Sequence, residues 1–431
     1  MTLSSEQLLQ PEPFRAPLTP PHSVDSPSDS ERDETGPSPR RLRVRCTVMR
    51  AGTSKGLFFR QEDLPEDRLL WDPILLAAMG SPDPNGRQLN GMGGGQSTQS
   101  KVAIVSVSEH PDADVDYLFA QIPIDGDKVD YSGNCGNMAS GVGPFAVEEN
   151  LFPVMKAHRH FVSVRIRNVN TDRIIRSTFE VNGYLPVENG GMKLDGVGGS
   201  GAPVRLDFLD PAGSMTGRLL PTGQAIDLVT LPPSTPLGRP RTFRVSCVDA
   251  ANPFVFVHRD ELGLTGGESL DQLASVTSTL MEIRAHAAVK MGLSPSPEAA
   301  ALVMGTPKIA IVGPPCRYTA LSGKTVEPEE QDLWLRAYSM GRPHPAIQMT
   351  GAVCVGSSTS IPGTLAYESF SQSRLAGGKT LEGPVIIGHG SGTMAVEGLS
   401  HVGVQGQIVV ECGTVYRTAR RLMEGMVLCY V

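Results

Sequence analysis

The sequence predicts an α+β fold in which sheets wrap around central helices. The first observation is a series of short stretches that alternate apolar and polar residues, as half-buried strands do. The second is that only two helices stand out. The third is the abundance of turn formers: 47 glycines and 35 prolines make up about a fifth of the 431 residues, against roughly 12 % in average usage. Together these observations favour many short elements over a helical bundle.

Composition and charge exclude several classes of protein. Apolar residues make up 40 % of the chain and charged residues 19 %, which suits a globular chain with a sizeable core. The net charge of −7 argues against a nucleic-acid or anionic-membrane partner, and no apolar run has the roughly 18 residues of a membrane span. The seven cysteines include no C-x-x-C pair, so we expect a reducing, cytoplasmic setting without a disulfide framework or structural zinc.

The chain divides into a tail and two domains. Residues 1–41 are crowded with Pro, Ser, Asp and Glu and lack apolar periodicity, so we expect a disordered tail. This segment has no apolar core of a secretory signal and carries too many acids for a mitochondrial transit peptide. We assign the first domain to 42–235 and the second to 236–431, with a last strand near 415–431 as a candidate to return to the first domain.

Strands and helices follow the tail. One predicted helix follows Cys135 and runs to about Leu151. The other begins after Ser269, a plausible N-cap, and carries an apolar stripe from Leu270 to Ala287. Strands are predicted at 101–108, 115–124, 161–168, 242–248, 253–258, 308–312 and 384–388.

A weak internal repeat in the order of elements predicts two similar domains that face each other across a cleft. Each half contains a β-rich run, a polar turn rich in glycine, and then a helix start built from small residues. The turn lies at 132–140 in the first half and around 340–346 in the second.

Three polar, glycine-rich segments are candidate anion-binding loops: 50–56, 90–101 and 131–137. Glycine lets the backbone turn sharply and point several N–H groups at one place, and Ser and Thr add hydroxyl donors. The sequence motifs that bind phosphate cofactors are incomplete. The Gly-Lys-Thr tripeptides lack the earlier glycine of a P-loop, and the one loose G-x-G-x-x-A match to the dinucleotide-binding motif follows no apolar strand. Carboxylate binding is therefore the better interpretation.

Two residues are candidates for proton transfer. Cys135 lies between two Gly-Asn pairs just before a predicted helix, whose macrodipole favours the thiolate; the alternative is a small buried hydrophobe. Lys101 ends a glycine-rich loop and opens an apolar strand, where desolvation disfavours the ammonium; the alternative is a strand-end lysine that reaches solvent. We interpret the other six cysteines as structural because their contexts are mostly apolar or strand-like.

Other polar residues carry weaker signals. His344 lies in a Gly-Arg-Pro-His-Pro turn, where a surface or packing role competes with ligand binding. His158 and His160 form an H-x-H without a third ligand, so no metal site is predicted. Asn252 adjoins Pro253 beside a strand and either caps a turn or faces a cleft.

Taken together, the motifs resemble the PrpF family, the cofactor-independent 2-methylaconitate cis–trans isomerases. The resemblance implies a diaminopimelate-epimerase-like fold: two pseudo-symmetric domains each wrap β-structure around a central helix, and the active site lies in the interdomain cleft. It also implies a small carboxylate substrate, no cofactor and no metal, and it leaves a homo-oligomer open. The segments that carry it are 50–56, 93–101, 116–119, 132–137, 252–253, 389–393 and 417–425.

The resemblance assigns roles to particular residues. Cys135 and Lys101 are the implied proton-transfer pair. The amino-acid epimerases of the wider superfamily use two facing cysteines, whereas Cys354 in the second half lies in an apolar run, so a Cys–Lys pair is the expected arrangement. The implied substrate-binding residues are Thr53, Ser54, Gly94, Gly95, Gln96, Ser97, Thr98, Gly136, Asn137, Asn252, Lys308, Ser339 and His344.

The expected reaction is isomerisation of an aconitate-type di- or tricarboxylate, either cis–trans or by a double-bond shift. Removal of an allylic proton gives a dienolate, and reprotonation changes the geometry or the position of the double bond. Two alternatives stay open. One is a keto–enol tautomerase of oxalomesaconate-like acids, and the other is a non-catalytic protein that accompanies a dehydratase.

Overall fold

The computed structural model describes residues 40–154, 157–233, 238–404 and 406–431. Most of the predicted tail, residues 1–39, lies outside the described residues, and Arg41 already belongs to the first strand. The predicted domain boundary between 235 and 236 also lies outside them. Both of these interpretations therefore stay predictions.

In the first half, the described residues form two α-helices and eight strands. The helices are α1 (Trp71–Met79) and α2 (Gly136–Glu148). The strands are β1 (Arg41–Ala51), β2 (Ser54–Arg60), β3 (Lys101–Val107), β4 (Val115–Gln121), β5 (Ala157–Asn168), β6 (Arg173–Gly183), β7 (Leu185–Pro186) and β8 (Val204–Leu209).

The remaining elements follow along the chain, most of them in the second half. The helices are α3 (Leu270–Leu273), α4 (Thr277–Lys290), α5 (Pro297–Leu302), α6 (Met349–Ser358) and α7 (Leu365–Ala376). The strands are β9 (Asp227–Leu231), β10 (Arg241–Ala250), β11 (Asn252–His258), β12 (Lys308–Gly313), β13 (Tyr318–Thr319), β14 (Thr325–Val326), β15 (Leu333–Ser339), β16 (Arg342–Pro343), β17 (Val385–His389) and β18 (Gly392–Val402), followed by β19 (Ile408–Arg417) and β20 (Ala419–Tyr430).

The two halves repeat one order of strand pairings. In the first half β1 and β2 form a hairpin, β2 pairs in parallel with β3, β3 antiparallel with β4, β4 in parallel with β5, and β5 antiparallel with β6. Strands β10, β11, β12, β15, β17 and β18 repeat this series. A helix stands at the same place in each, α2 between β4 and β5 and α6 between β15 and β17. The predicted pseudo-symmetric α+β fold is confirmed.

The last two strands connect the halves. β19 pairs with β8 on one side and β18 on the other, so eighteen strands of the described chain form one hydrogen-bonded network. β20 pairs with β1 along its whole length, and the chain therefore ends in the first half.

Helices α2 and α6 are the central helices. All ten residues of α6 are buried, as are twelve of the thirteen in α2. Small residues allow this enclosure: a Cβ at Gly141 would lie 2.8 Å from the Phe58 ring, and one at Gly351 would lie 2.6 Å from the Phe254 ring. Larger side chains would push the surrounding strands away.

Outer helices cover the opposite face of each sheet. Phe58 packs in the cluster around α2, whereas its neighbours Leu57 and Phe59 pack in the cluster that contains Ile74 of α1. Successive side chains of a strand point to opposite faces, so these apolar strands are buried on both sides. Helix α4 covers the second half in the same way.

The strands and helices predicted from sequence are present, but several of them begin or end a few residues away from the predicted bounds. All seven predicted strands form, and the helix after Cys135 ends at Glu148, earlier than expected. Ser269 caps α3 in a capping box, and the apolar stripe continues through a 3₁₀ turn into α4. Sequence reasoning did not predict α1, α5 or α7, and for α6 it gave only a helix start after the turn at 340–346. None of the described helices combines the length and apolar character required to cross a membrane.

Candidate active site

The N-terminal ends of α2 and α6 meet in a cleft between the two halves. A Cβ at Gly136, the first residue of α2, would lie 2.8 Å from the Cβ of Met349, the first residue of α6, and both residues line the cleft. The positive ends of two helix macrodipoles, with their free backbone N–H groups, therefore face one space. Such a space suits an anion, including a carboxylate.

Cys135 is the N-cap of α2, and its backbone is held in place. Its carbonyl oxygen accepts hydrogen bonds from the Tyr117 hydroxyl at 3.1 Å and from the Ala139 N–H at 3.0 Å. The thiol makes no capping hydrogen bond, is partly buried and lines the cleft. The fixed backbone of Cys135 therefore keeps its side chain at the cleft.

Lys101 is the first residue of β3 and reaches the same cleft. Its Nζ donates to Oε1 of Gln121, the cross-strand partner in β4, at 2.7 Å and lies 5.0 Å from the centre of the Phe119 ring. Gln121 Nε2 donates in turn to the carbonyl oxygens of Ser97 and Ser100, at 3.2 and 2.8 Å. Gln121 thus ties the amine to the glycine-rich loop.

The second half contributes Lys308 and His344. Lys308 Nζ donates to the Gly305 carbonyl oxygen at 3.2 Å. Burial, assisted by the charge of Lys101, lowers the pKa of Lys308 to about 8, although Asp130 acts in the opposite direction. Burial also lowers the pKa of His344 to about 4, so this imidazole is neutral at physiological pH.

Nine of the sequence-predicted site residues line this cleft. They are Ser54, Ser97, Lys101, Cys135, Gly136, Asn137, Lys308, Ser339 and His344. Thr53 lines a neighbouring cavity instead, and its hydroxyl accepts a hydrogen bond from Asn137 Nδ2 at 3.0 Å.

Five predicted residues, Gly94, Gly95, Gln96, Thr98 and Asn252, are not among the residues that line the cleft. The glycine-rich loop folds on itself, because the Gly95 N–H donates to Gln88 Oε1 at 3.0 Å and Gln96 accepts from the Gln99 N–H at 2.9 Å. Asn252, fully buried at the start of β11, has no hydrogen-bond partner for its amide among the described residues. A binding role for these five residues stays a prediction.

Sequence reasoning missed several residues of the cleft. Gln121 could have been found from the strand register, because it lies directly opposite Lys101. Gln348 is the N-cap and Met349 the first residue of α6; the sequence indicated a helix start after the turn at 340–346 but neither of these two residues. Gly133 and Asn134 belong to the predicted anion-binding loop 131–137, although they were not named singly. The other missed residues are Phe119, Asp130, Gly305 and Met340. No three His, Cys, Asp or Glu side chains gather as a metal site in the described parts of the chain.

Comparison with known proteins agrees with this geometry. The sequence matches the PrpF protein family over residues 41–430. The chain belongs to the PrpF family. The 2-methyl-aconitate isomerase of Shewanella oneidensis is 40 % identical over 400 residues, which cover 90 % of this chain and 97 % of the relative.

Two further comparisons extend this PrpF assignment. The 4-oxalomesaconate tautomerase of Pseudomonas putida is 36 % identical over 388 residues, which cover 89 % of this chain and 96 % of the relative. The crystal structure of methylitaconate-delta-isomerase superposes with a TM-score of 0.72 at 39 % identity, covering 90 % of this chain and 96 % of the other. The chain is an isomerase with the fold that the sequence predicts.

Proposed function

We propose that this PrpF protein isomerises an aconitate-type unsaturated di- or tricarboxylate by moving an allylic proton. One observation carries the proposal: two helix N-termini, Lys101 and Lys308 converge on the cleft that contains the Cys135 thiol. This arrangement matches a small molecule with several carboxylates and one acidic C–H bond. The relatives named for methylaconitate and methylitaconate support this substrate class.

The first step removes the allylic proton. The thiolate of Cys135 takes the proton and becomes a thiol, while the C–H electron pair enters the conjugated system and gives a dienolate. The new negative charge lies mainly on a carboxylate oxygen, where Lys308 and the backbone N–H groups at the helix ends stabilise it. Donors of this type contribute about 3–4 kcal/mol each to transition-state stabilisation.

The second step returns a proton. Rotation about the former double bond, followed by return of the proton from Cys135 to the same carbon, gives the geometric isomer. Delivery of a proton from Lys101 to the other end of the allylic system shifts the double bond instead. Lys101 suits the donor role because its amine is already oriented as a hydrogen-bond donor to Gln121.

An NMR experiment in D₂O tests the proposal. Purified protein is incubated separately with cis-aconitate, 2-methylaconitate and oxalomesaconate, and both product formation and deuterium uptake are followed. We expect deuterium at the allylic carbon of the converted substrate, at a rate lowered at least 100-fold in the Cys135→Ser variant. The proposal fails if folded wild-type protein converts none of the three and exchanges no allylic proton.

A keto–enol tautomerase is the second candidate, and Gln348 is the observation that favours it. Gln348 lines the cleft, and its Nε2 donates to the Tyr338 carbonyl oxygen at 3.3 Å, which leaves Oε1 buried without a partner among the described residues. An ionised carboxylate cannot donate to this oxygen, whereas an enol hydroxyl can. Faster turnover of oxalomesaconate than of both aconitates, lost selectively in Gln348→Leu, would establish this alternative.

The reducing, cytoplasmic setting also stays a proposal. All seven cysteines are free, which supports it. Labelling of the protein in fractionated cells would test the location.

A further inference from the structure

A second cavity adjoins the cleft, and the proton-transfer steps proposed above involve none of the residues that line it. Its walls come from segments 192–195, 393–395 and 416–417, together with Thr53, Lys324, Ala346 and His389. Two motifs that carry the family resemblance, 389–393 and 417–425, contribute to this cavity and not to the cleft.

Arg417 is the most informative residue of this cavity. Its side chain is buried, with the residue only 5 % exposed, and burial lowers its pKa to about 10. Nε donates to Asn137 Oδ1 at 3.3 Å, Nη1 donates to the Tyr416 carbonyl oxygen at 2.9 Å, and Nη2 contacts the Met394 sulfur. No carboxylate of the described residues forms an ion pair with it. A buried guanidinium without a counter-charge is unfavourable, and an anion in the cavity would supply that counter-charge.

The other charges of the cavity leave a positive excess. Lys193 is exposed at its rim and has no ion pair within the described chain. Lys324 is paired with Glu330 at 3.0 Å, and the Asp195 carboxylate accepts the Thr393 N–H at 2.7 Å. His389 is buried and neutral, because burial lowers its pKa to about 3. Arg417 and Lys193 together therefore outweigh the single charge of Asp195.

We propose that this cavity binds a small oxyanion, either a carboxylate or a phosphate, between Arg417 and Lys193. The planar guanidinium can donate two parallel hydrogen bonds to either group. The Asn137 side chain separates this site from the cleft: its Nδ2 donates to Thr53 and its Oδ1 accepts from Arg417, while the residue itself also lines the cleft. The two anion sites are therefore neighbours with separate charged residues.

Calorimetric titration of the full chain tests the proposal with two probes. Tricarballylate, a saturated tricarboxylate, and inorganic phosphate are titrated separately into wild type, Lys193→Glu and Lys290→Glu. The last variant is the control, because Lys290 is exposed at the end of α4 and lines neither cavity. We expect a binding event whose affinity falls at least tenfold in Lys193→Glu but not in the control. If tricarballylate shows this event the ligand is a carboxylate, and if inorganic phosphate shows it the ligand is a phosphate.

Measurement of kcat distinguishes a failure of this proposal from a failure of the proposed function. Lys193→Glu should keep kcat within twofold of wild type, because Lys193 does not line the cleft. Arg417→Gln should abolish the same binding event, and Arg417→Lys should retain part of it. If Arg417→Gln does not fold, Lys193→Glu decides the question. The proposal is overturned if both probes bind equally to Lys193→Glu, the control and wild type, or if neither probe binds outside the cleft.

Discussion

Lys101 and Lys308 occupy equivalent positions in the two halves of the fold. Each is the first residue of the strand that pairs in parallel with the second strand of a hairpin, β3 beside β2 and β12 beside β11. Both line the same cleft, but their contacts differ. Lys101 is held by Gln121 and the Phe119 ring, whereas the one hydrogen bond described for Lys308 Nζ is to the carbonyl oxygen of Gly305.

The first prediction concerns the pH dependence of KM. Because the pKa of Lys308 is lowered to about 8, the amine is charged below pH 8 and loses its charge as the pH rises through that value. Its attraction for a substrate carboxylate is lost in the same range, so KM should rise about tenfold per pH unit above 8. Initial rates measured from pH 6.5 to 9.5 test this expectation.

Variants of Lys308 provide the controls. Lys308→Met should have a high KM without this alkaline rise, and Lys308→Arg should keep a low KM to higher pH. The groups that act on Lys308 from neighbouring elements are Lys101, Asp130, Cys135 and Arg284. An unchanged alkaline rise in Lys308→Met would show that Lys308 does not cause it.

The second prediction concerns the proton-transfer pair. Cys135→Ser and Lys101→Met should each lower kcat by about 10²–10⁴-fold, because each removes a positioned acid–base group. Stability should change little in Cys135→Ser, since the thiol makes no capping hydrogen bond. Cys412→Ser is the matched control: Cys412 is partly buried in β19, outside the cleft, and its replacement should leave kcat unchanged.

Local signals made part of this site predictable from sequence. The turn before α2 combines glycine, asparagine and cysteine within a few residues, so both the helix start and the reactive thiol could be recognised. For α6 the sequence indicated only a helix start near 340–346 and no extent, because a helix that is buried on every side has no polar face and therefore no 3.6-residue alternation. Gln348, at its start, was lost for the same reason.

The glycine-rich loop shows a second limit of sequence reasoning. Composition indicates that several N–H groups can converge, but not toward which partner they point. In the structure the Gly95 N–H points at Gln88 and not into the cleft. The orientation depends on a residue seven positions earlier, through a contact that only the folded loop forms.

The third prediction tests the contact between the two central helices. Gly136→Ala places a Cβ 2.8 Å from that of Met349 and 3.1 Å from the Phe208 ring, so the helix ends must move apart. We expect a loss of about 1–3 kcal/mol in unfolding free energy and a lower kcat/KM, because both N-termini bound the cleft. Chemical denaturation and steady-state kinetics measure the two effects.

A compensating variant makes this test specific. In a Met349→Gly background, which has no Cβ at position 349, Gly136→Ala should cost less activity and stability than it does in wild type; comparison within that background accounts for the loss of the buried Met349 side chain. Gly133→Ala is the control, since no atom lies within 4 Å of a Cβ built at that cleft residue. Equal losses in Gly133→Ala and Gly136→Ala would reject the idea that close helix approach is the cause.

The fourth prediction concerns stability in acid. Burial lowers the pKa of His344 to about 4 and that of His389 to about 3, whereas both are near 6.5 in the unfolded chain. Between pH 6.5 and 4 the unfolded state therefore binds protons that the folded state does not. The free energy of unfolding should fall as the pH falls through this range, by about 1.4 kcal/mol per pH unit for each histidine.

Urea denaturation at pH 7.5, 6.0 and 5.0 measures this slope. His389→Asn should remove about half of the acid-dependent loss attributed to the two histidines, because one of the two proton-binding differences is gone. His158→Asn, at an exposed position of β5, should leave the slope at its wild-type value. If wild type, His389→Asn and His158→Asn lose stability equally between pH 6.0 and 5.0, protonation of His389 does not contribute to the acid sensitivity.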